Sequence, residues 1–344
     1  MKISLMYFSP TGTTKKIVRV FGQALADKMG ITEIKEIDFT LKKERDKTYS
    51  FTDKDLVLLG VPVYAGRVPN VLKEFLSSIQ GNGALGVAFT LFGNRSFDDA
   101  LVELRDIMKE DGFRVIGAGA FVGEHSFSQT LGKGRPNLID LEEAEGFALK
   151  IAEKIQKSLA STSNIELAFH QNDANEVCCH ENLSQEDGAN ENGPHEKACP
   201  ENSSQEDGSN ENGPHEKASN ENPTSESGVD KNAPLEEDFF VQGEVPYRPY
   251  YTPRNMQGEP VKILKVKPKT LDTCTDCKLC AQICPMESIS YEDPFQVPGI
   301  CIKCGACLKF CPVGAKYYDD EGFLGHKEQI ETTFSEPKKN KCFF

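Results

Sequence analysis

Apolar residues follow two rhythms over the first 160 positions. Short unbroken runs at Ile3–Phe8, Ile31–Ile37, Leu56–Gly60, Leu85–Leu91 and Val115–Val122 predict strands buried on both faces. Between them, Thr13–Lys28 sets Ile17, Val18, Phe21, Ala24 and Leu25 on one helical face. Val71–Ile79, Asp98–Lys109 and Leu141–Leu159 predict further helices. Strands alternating with helices predict an α/β architecture around a parallel, doubly wound sheet. At this length the five-stranded order 2-1-3-4-5 fits best.

The rhythm stops near residue 160. From 161 to 244 the chain is rich in Asn, Glu, Ser, Gly and Pro and nearly empty of apolar residues. Glu181–Ala198 (ENLSQEDGANENGPHEKA) recurs 20 residues on as Glu201–Ala218, and a broken third copy starts at Asn220. Without a leucine or aromatic skeleton these units have no face to bury against one another, so they predict a disordered acidic linker rather than a solenoid. As a flexible coil it would span on the order of 45–50 Å. Between Gln171 and Phe240 there are 18 Asp/Glu against 3 Lys, so the net charge of −14 belongs to this segment and the rest is close to neutral. Cys178, Cys179, Cys199, His180, His195 and His215 also lie here; their spacing matches no metal template, and they read as incidental. Three regions result: 1–160, the linker 161–244, and 245–344.

The third region carries the most specific chemistry. Cys274, Cys277, Cys280 and Cys284-Pro285 recur 27 residues on as Cys301, Cys304, Cys307 and Cys311-Pro312. Soft thiolates at such intervals suit iron–sulfur clusters or zinc, and a third cysteine with a Cys-Pro ending favours clusters. A disulfide framework is the weakest alternative. Residues 268–320 resemble the two-[4Fe–4S] bacterial-type ferredoxins, which form a small α+β domain. The resemblance implies that Cys274, Cys277, Cys280 and Cys311 hold one cluster, and that Cys301, Cys304, Cys307 and Cys284 hold the other. Ile283, Ile289, Ile300, Ile302 and Val313 are the expected apolar wrapping, and small residues at Ala281, Gly305 and Ala306 leave room for the cubes.

After the first strand, Ser9-Pro10-Thr11-Gly12-Thr13-Thr14 feeds a helix. Free N–H groups, the helix dipole and hydroxyls make such a loop a phosphate site; a capped helix start is the plainer reading. No G-x-x-x-x-G-K-[ST] string is present, which speaks against a nucleotide triphosphatase. Residues 1–160 resemble flavodoxins. That resemblance implies FMN, with Ser9, Thr11, Gly12, Thr13 and Thr14 at its phosphate. It also implies two ring loops, one with Pro62 and Tyr64, the other with Phe92, Gly93 and Asn94. Tyr64 is the expected stacking residue, and Gly93 and Asn94 the expected backbone donors. Arg95 either lies by the reduced ring or pairs with Asp98. The chain departs from the family in having no tryptophan and in Pro10, which removes one N–H. Glu124-His125-Ser126 would share the rim, with His125 either a proton exchanger or a surface residue.

The order of the two modules, with the string Gly117–Arg135, resembles the flavodoxin–ferredoxin fusion proteins found largely among anaerobes. The resemblance implies a cytoplasmic electron carrier that works with other redox proteins. A flavin-dependent reductase with a pocket of Tyr64, Phe92, His125 and Phe127, and a flavin-free docking adaptor, are the other two readings. No 18-residue apolar run is present, so no membrane span is expected, and Met1–Phe8 lacks a cleavage site for a signal peptide. Val245–Lys269 mixes Tyr247, Tyr250 and Tyr251 with four lysines. Its interleaved Ile263, Leu264 and Val266 predict an edge strand entering the ferredoxin module rather than a nucleic-acid surface.

Overall fold

The computed structural model describes residues 1–177 and 238–344, with backbone alone for 161–177. The repeat linker and its cysteines and histidines therefore lie outside the described residues. Met1–Ser158 and Pro234–Phe344 form one unit, and Leu159–Ala233 form a second.

In the first unit the elements run β1 (Lys2–Tyr7), α1 (Thr13–Met29), β2 (Ile34–Asp38), α2 (Lys42–Arg45) and β3 (Asp55–Pro62). A 3-10 turn (Asn70–Leu72) and α3 (Lys73–Leu76) follow, then β4 (Leu85–Phe92), α4 (Ala100–Glu110), β5 (Arg114–Val122) and α5 (Leu138–Val177). The strands are parallel in the order β2-β1-β3-β4-β5, as the apolar runs predict. Every residue of β4 is buried, and so are seven of the eight in β3, because helices cover both faces. Alternate side chains divide the core: Leu56 and Leu58 face α1 and α5, while Val57, Leu59 and Val61 face α3 and α4. The helix expected over Val71–Ile79 shrinks to the 3-10 turn and α3. Ser78 Oγ donates to the Phe75 carbonyl, closing the chain locally where a helix would have to continue.

The C-terminal half holds β6 (Lys269–Thr270), α6 (Leu279–Gln282), α7 (Ala306–Lys309), β7 (Lys316–Tyr317), α8 (Glu321–Thr333) and β8 (Lys341–Phe343). β6 and β7 pair antiparallel as a small separate sheet. β8 adds a sixth, antiparallel strand to the edge of the large sheet, Gly119 opposite Cys342, so the sheet reads 2-1-3-4-5-8. The edge strand expected within Val245–Lys269 is not formed. The first residues of that segment lie against the N-terminal sheet domain instead, with Tyr247 on its core, while its later ones meet the cysteine region, where Lys267 Nζ donates to the Val297 carbonyl (2.7 Å). Among the described residues no helix is long and apolar enough to cross a membrane.

Candidate functional site: a cleft and two cysteine pockets

Four loops leave the carboxyl ends of β1, β3, β4 and β5 and enclose a cleft of about 630 Å³, counted out to its mouth. Parallel strands send every such loop to one edge of the sheet, which is why residues as far apart in sequence as Ser9 and Ser126 meet there. Of the residues expected at a flavin, Ser9, Thr11, Thr13, Thr14, Pro62, Tyr64, Phe92 and Gly93 line the cleft. At its first loop Gly12 takes a left-handed turn (φ 85°), and no side chain caps the helix that starts there. The Lys15 N–H donates to Ser9 Oγ (3.0 Å), and the Ser9 N–H is spent on Thr40 Oγ1 (2.8 Å). Uncapped N–H groups among hydroxyls fit an anionic phosphate.

Tyr64 stands half-buried on one wall. Burial, then the sulfurs of Cys304 and Cys301, hold its phenol well above the ordinary range, so it remains a neutral ring. Arg95 lines the cleft while paired with Asp98 and stacked over Tyr251 at 4.3 Å. His125 lines it too, half-buried. Burial first, then the positive charges of His326, Lys309 and Arg95, push its imidazole down to about 3. Asn94 is placed elsewhere. Its N–H turns back to the Phe92 carbonyl, and its buried side chain is used by the chain's C-terminal tail.

The eight cysteines line two pockets. Cys274, Cys277, Cys280 and Cys311 line one pocket, and Cys284, Cys301, Cys304 and Cys307 another. Among the described residues no three His, Cys, Asp or Glu side chains converge as a single bound ion requires. Four thiols around one pocket match the ligand number of a [4Fe–4S] cluster. Backbone N–H groups already reach sulfur: Ser288 to Cys284 (3.3 Å), Lys303 to Cys301 (3.4 Å) and Ala315 to Cys311 (3.2 Å). Met286, Ile289, Val297, Ile300 and Ile302 wrap the second pocket. Burial pushes the Cys304 thiol up to about 12 and raises Cys307, so thiolates there need a cationic core beside them. The pockets differ in setting. Each pocket has buried cysteines, Cys280 in the outer one and Cys304 and Cys307 in the inner one, but only the outer one has an exposed cysteine, Cys277.

Cys304 also lines the cleft, a double placement that the cysteine spacing does not reveal. Gly305, next to it, lies so close to Ser126 that a Cβ would strike the Ser126 carbonyl oxygen. Lys309 pairs with Glu124 at 2.9 Å on the same rim, and Arg45 donates to the Pro285 carbonyl beside Cys284 (2.5 Å). Behind the cleft, Asp99 is fully buried and accepts from the N–H groups of Glu244 and Arg248 and from the Arg248 guanidinium. Burial pushes its carboxyl up, and those hydrogen bonds more than offset this, leaving it at about 2. Arg67, held by Glu103 (2.7 Å), lies under Tyr247 and Tyr250. Local patterns name none of these pairs. The sequence trace they leave is the density of Tyr and Arg in 247–254, ahead of the residues read above as an edge strand.

Comparison with known proteins agrees with this anatomy. The Flavodoxin domain family matches residues 4–112, and two 4Fe-4S binding domain families match 271–287 and 295–317. Similar solved structures include a flavodoxin from the domain Archaea, 21% identical over 45% of this chain and 99% of that one, with a TM-score of 0.33. A flavodoxin of Streptococcus pneumonia TIGR4 is 18% identical over 45% and 99% of the two chains, at the same score. Rubredoxin oxygen:oxidoreductase from the anaerobe Desulfovibrio gigas is 19% identical over 46% and 37%, again at 0.33. No curated protein matches. The flavodoxin domain implies FMN, and the two 4Fe-4S matches imply [4Fe–4S] clusters.

Proposed function

We propose that this chain, a flavodoxin domain fused to 4Fe–4S ferredoxin-type domains, is an electron-transfer protein built as one fixed relay. In this reading Ser9, Thr11, Gly12, Thr13 and Thr14 hold the FMN phosphate, and Pro62, Tyr64, Phe92 and Gly93 enclose its ring. Cys284, Cys301, Cys304 and Cys307 hold an inner cluster, and Cys274, Cys277, Cys280 and Cys311 an outer one. When bound, FMN exchanges one or two electrons and each cube one.

The remaining work is positional, and the observation that carries it is that Cys304 belongs to the cleft and to the inner pocket at once. Tyr64 and Cys304 line the cleft together, and Cys304 also lines the inner pocket. The exposed Cys277 gives the outer pocket a face toward partner proteins. The Ser126–Gly305 approach and the Lys309–Glu124 pair close the rim on which a reductase would need to seat a substrate. These features favour a carrier over a flavin-dependent reductase. No bond of a substrate has to break, and no side chain has to titrate: the phenol of Tyr64 and the imidazole of His125 both stay neutral near pH 7. Free thiols and clusters suit a reducing compartment such as the cytoplasm.

Anaerobically purified full-length protein tests the reading. It should contain about eight irons and one FMN per chain and show no steady-state turnover with small quinones. Stoichiometric zinc, absence of flavin, or rapid quinone turnover would each overturn it.

A further inference from the structure

Three of the four loops of the cleft, those after β3, β4 and β5, meet residues more than 170 positions further along the chain. The Ala65 carbonyl accepts from the Tyr251 N–H at 2.8 Å, and the Val68 carbonyl from the Tyr250 hydroxyl at 3.0 Å. Ser126 is pressed against Gly305. The most complete tie is at Asn94. Its Nδ2 donates to the carbonyls of Phe334 (2.7 Å) and Glu336 (3.0 Å), and its Oδ1 accepts from the Lys338 N–H (2.9 Å). The residue is buried in a left-handed turn, φ 64°, directly after Phe92 and Gly93. An amide at this point holds three backbone groups of the tail at once. The tail then continues into β8, which is anchored by the Val122 N–H donating to Asn340 Oδ1 (2.9 Å).

We infer that the flavin cleft is a composite site, finished by the C-terminal half of the chain, and that Asn94 is a positioning residue that shapes it by clamping residues 334–338. This rests on the assignment of the cleft to FMN. An isolated loop from Phe92 to Arg95 has many conformations available, and the clamp removes that freedom before the ligand arrives, so the ordering cost is not charged to binding. The tie also explains why Asn94 does not line the cleft.

The test uses the full-length protein and two matched substitutions. Asn94→Gly removes the amide while keeping the left-handed backbone unstrained. Asn82→Gly is its control, because Asn82 is also left-handed (φ 46°) and also donates through Nδ2, to Ser50 Oγ and the Phe51 carbonyl, far from the cleft. FMN affinity is measured by quenching of free-flavin fluorescence on titration, and the clamp by hydrogen exchange at the Lys338 amide. Asn94→Gly should weaken FMN by roughly tenfold and speed Lys338 exchange by roughly tenfold, with iron content unchanged. Asn82→Gly should match wild type in both. If Asn94→Gly speeds exchange but binds FMN within about twofold of wild type, the clamp does not shape the site and the inference is wrong. If wild type itself takes up no FMN, the flavin assignment fails first and carries the inference with it.

Discussion

Lys278 and Gly305 occupy the same place in the two copies of the cysteine motif, 27 residues apart, and both hold a left-handed backbone, at φ 60° and 76°. The equivalence extends further. Asp276 and Lys303 share φ 55°, Glu287 and Gly314 stand at 50° and 63°, and α6 and α7 start one residue after Lys278 and Gly305. The repeat thus fixes one backbone twice. The surroundings then decide which side chain each copy can carry. At 278 the position faces outward, and Lys278 reaches the Glu292 carbonyl (2.7 Å) and Asp276. At 305 the Ser126 carbonyl fills the space where a side chain would go. Glycine is required at 305 by the neighbouring domain, not by the turn, since a lysine makes the same turn at 278.

Exchanging these residues gives the largest expected effect. Gly305→Lys should cost about 3 kcal/mol or more, because the carbonyl it meets is backbone and has little freedom to move. Denaturant melts with flavin and iron absorbance followed separately would show whether the two halves part. Lys278→Gly, the reverse swap in the outer copy, should stay within about 1 kcal/mol of wild type, since it relieves a strained turn and loses only the part-exposed contacts to Glu292 and Asp276.

Next in size is the tie behind the cleft. Arg248→Met leaves the Asp99 carboxylate fully buried with only two backbone donors, and about 2 kcal/mol should be lost. The same pair sets a pH dependence. The Asp99 carboxyl is held at about 2 in the folded protein, below its ordinary 3.8. Its stabilisation is therefore complete above about pH 4 and disappears as pH falls from there toward 2, a change of about 2 kcal/mol. Urea midpoints measured across that window should fall in wild type and stay flatter in Asp99→Asn. The smallest effect belongs to the rim pair. Lys309→Met, which frees a part-exposed Glu124, should cost about 0.5 kcal/mol and little in FMN affinity.

Much of the scaffold is legible in the sequence for a plain reason: a strand buried on both faces, such as Leu85–Phe92, must be apolar at every position, and this one is. The cysteine pockets are legible because their ligands are close in sequence and chemically unlike anything around them. What escapes local reading is contact between distant segments. Asn94 meets its partners 240 residues away, and nothing in Phe92-Gly93-Asn94-Arg95 distinguishes a flavin donor from a clamp on the tail. Lys341–Phe343 is too short for its alternation to announce a sixth strand. The lysines and isoleucine of 262–267 mimic an edge strand, although the useful residues of that stretch are the tyrosines and arginine before it, which meet Arg67, Arg95 and Asp99. The nearness of the inner pocket to the cleft depends on all of these contacts together, so no single motif carries it.

The contrast between an enclosed inner pocket and an exposed outer one is most directly tested by removing one cysteine from each. Fully reduced, anaerobic wild type, Cys277→Ala and Cys304→Ala would each be mixed in a stopped-flow cell with a protein-sized one-electron acceptor, and flavin and cluster absorbance followed. If the relay is as described, flavin reoxidation slows at least ~100-fold in both variants with FMN still bound, equivalent to about 2.7 kcal/mol of added barrier. In Cys304→Ala the outer cluster should still reoxidise at the wild-type rate. Flavin that gives up its electrons at the wild-type rate in either variant would contradict the account, because the cleft would then have its own way out to partners.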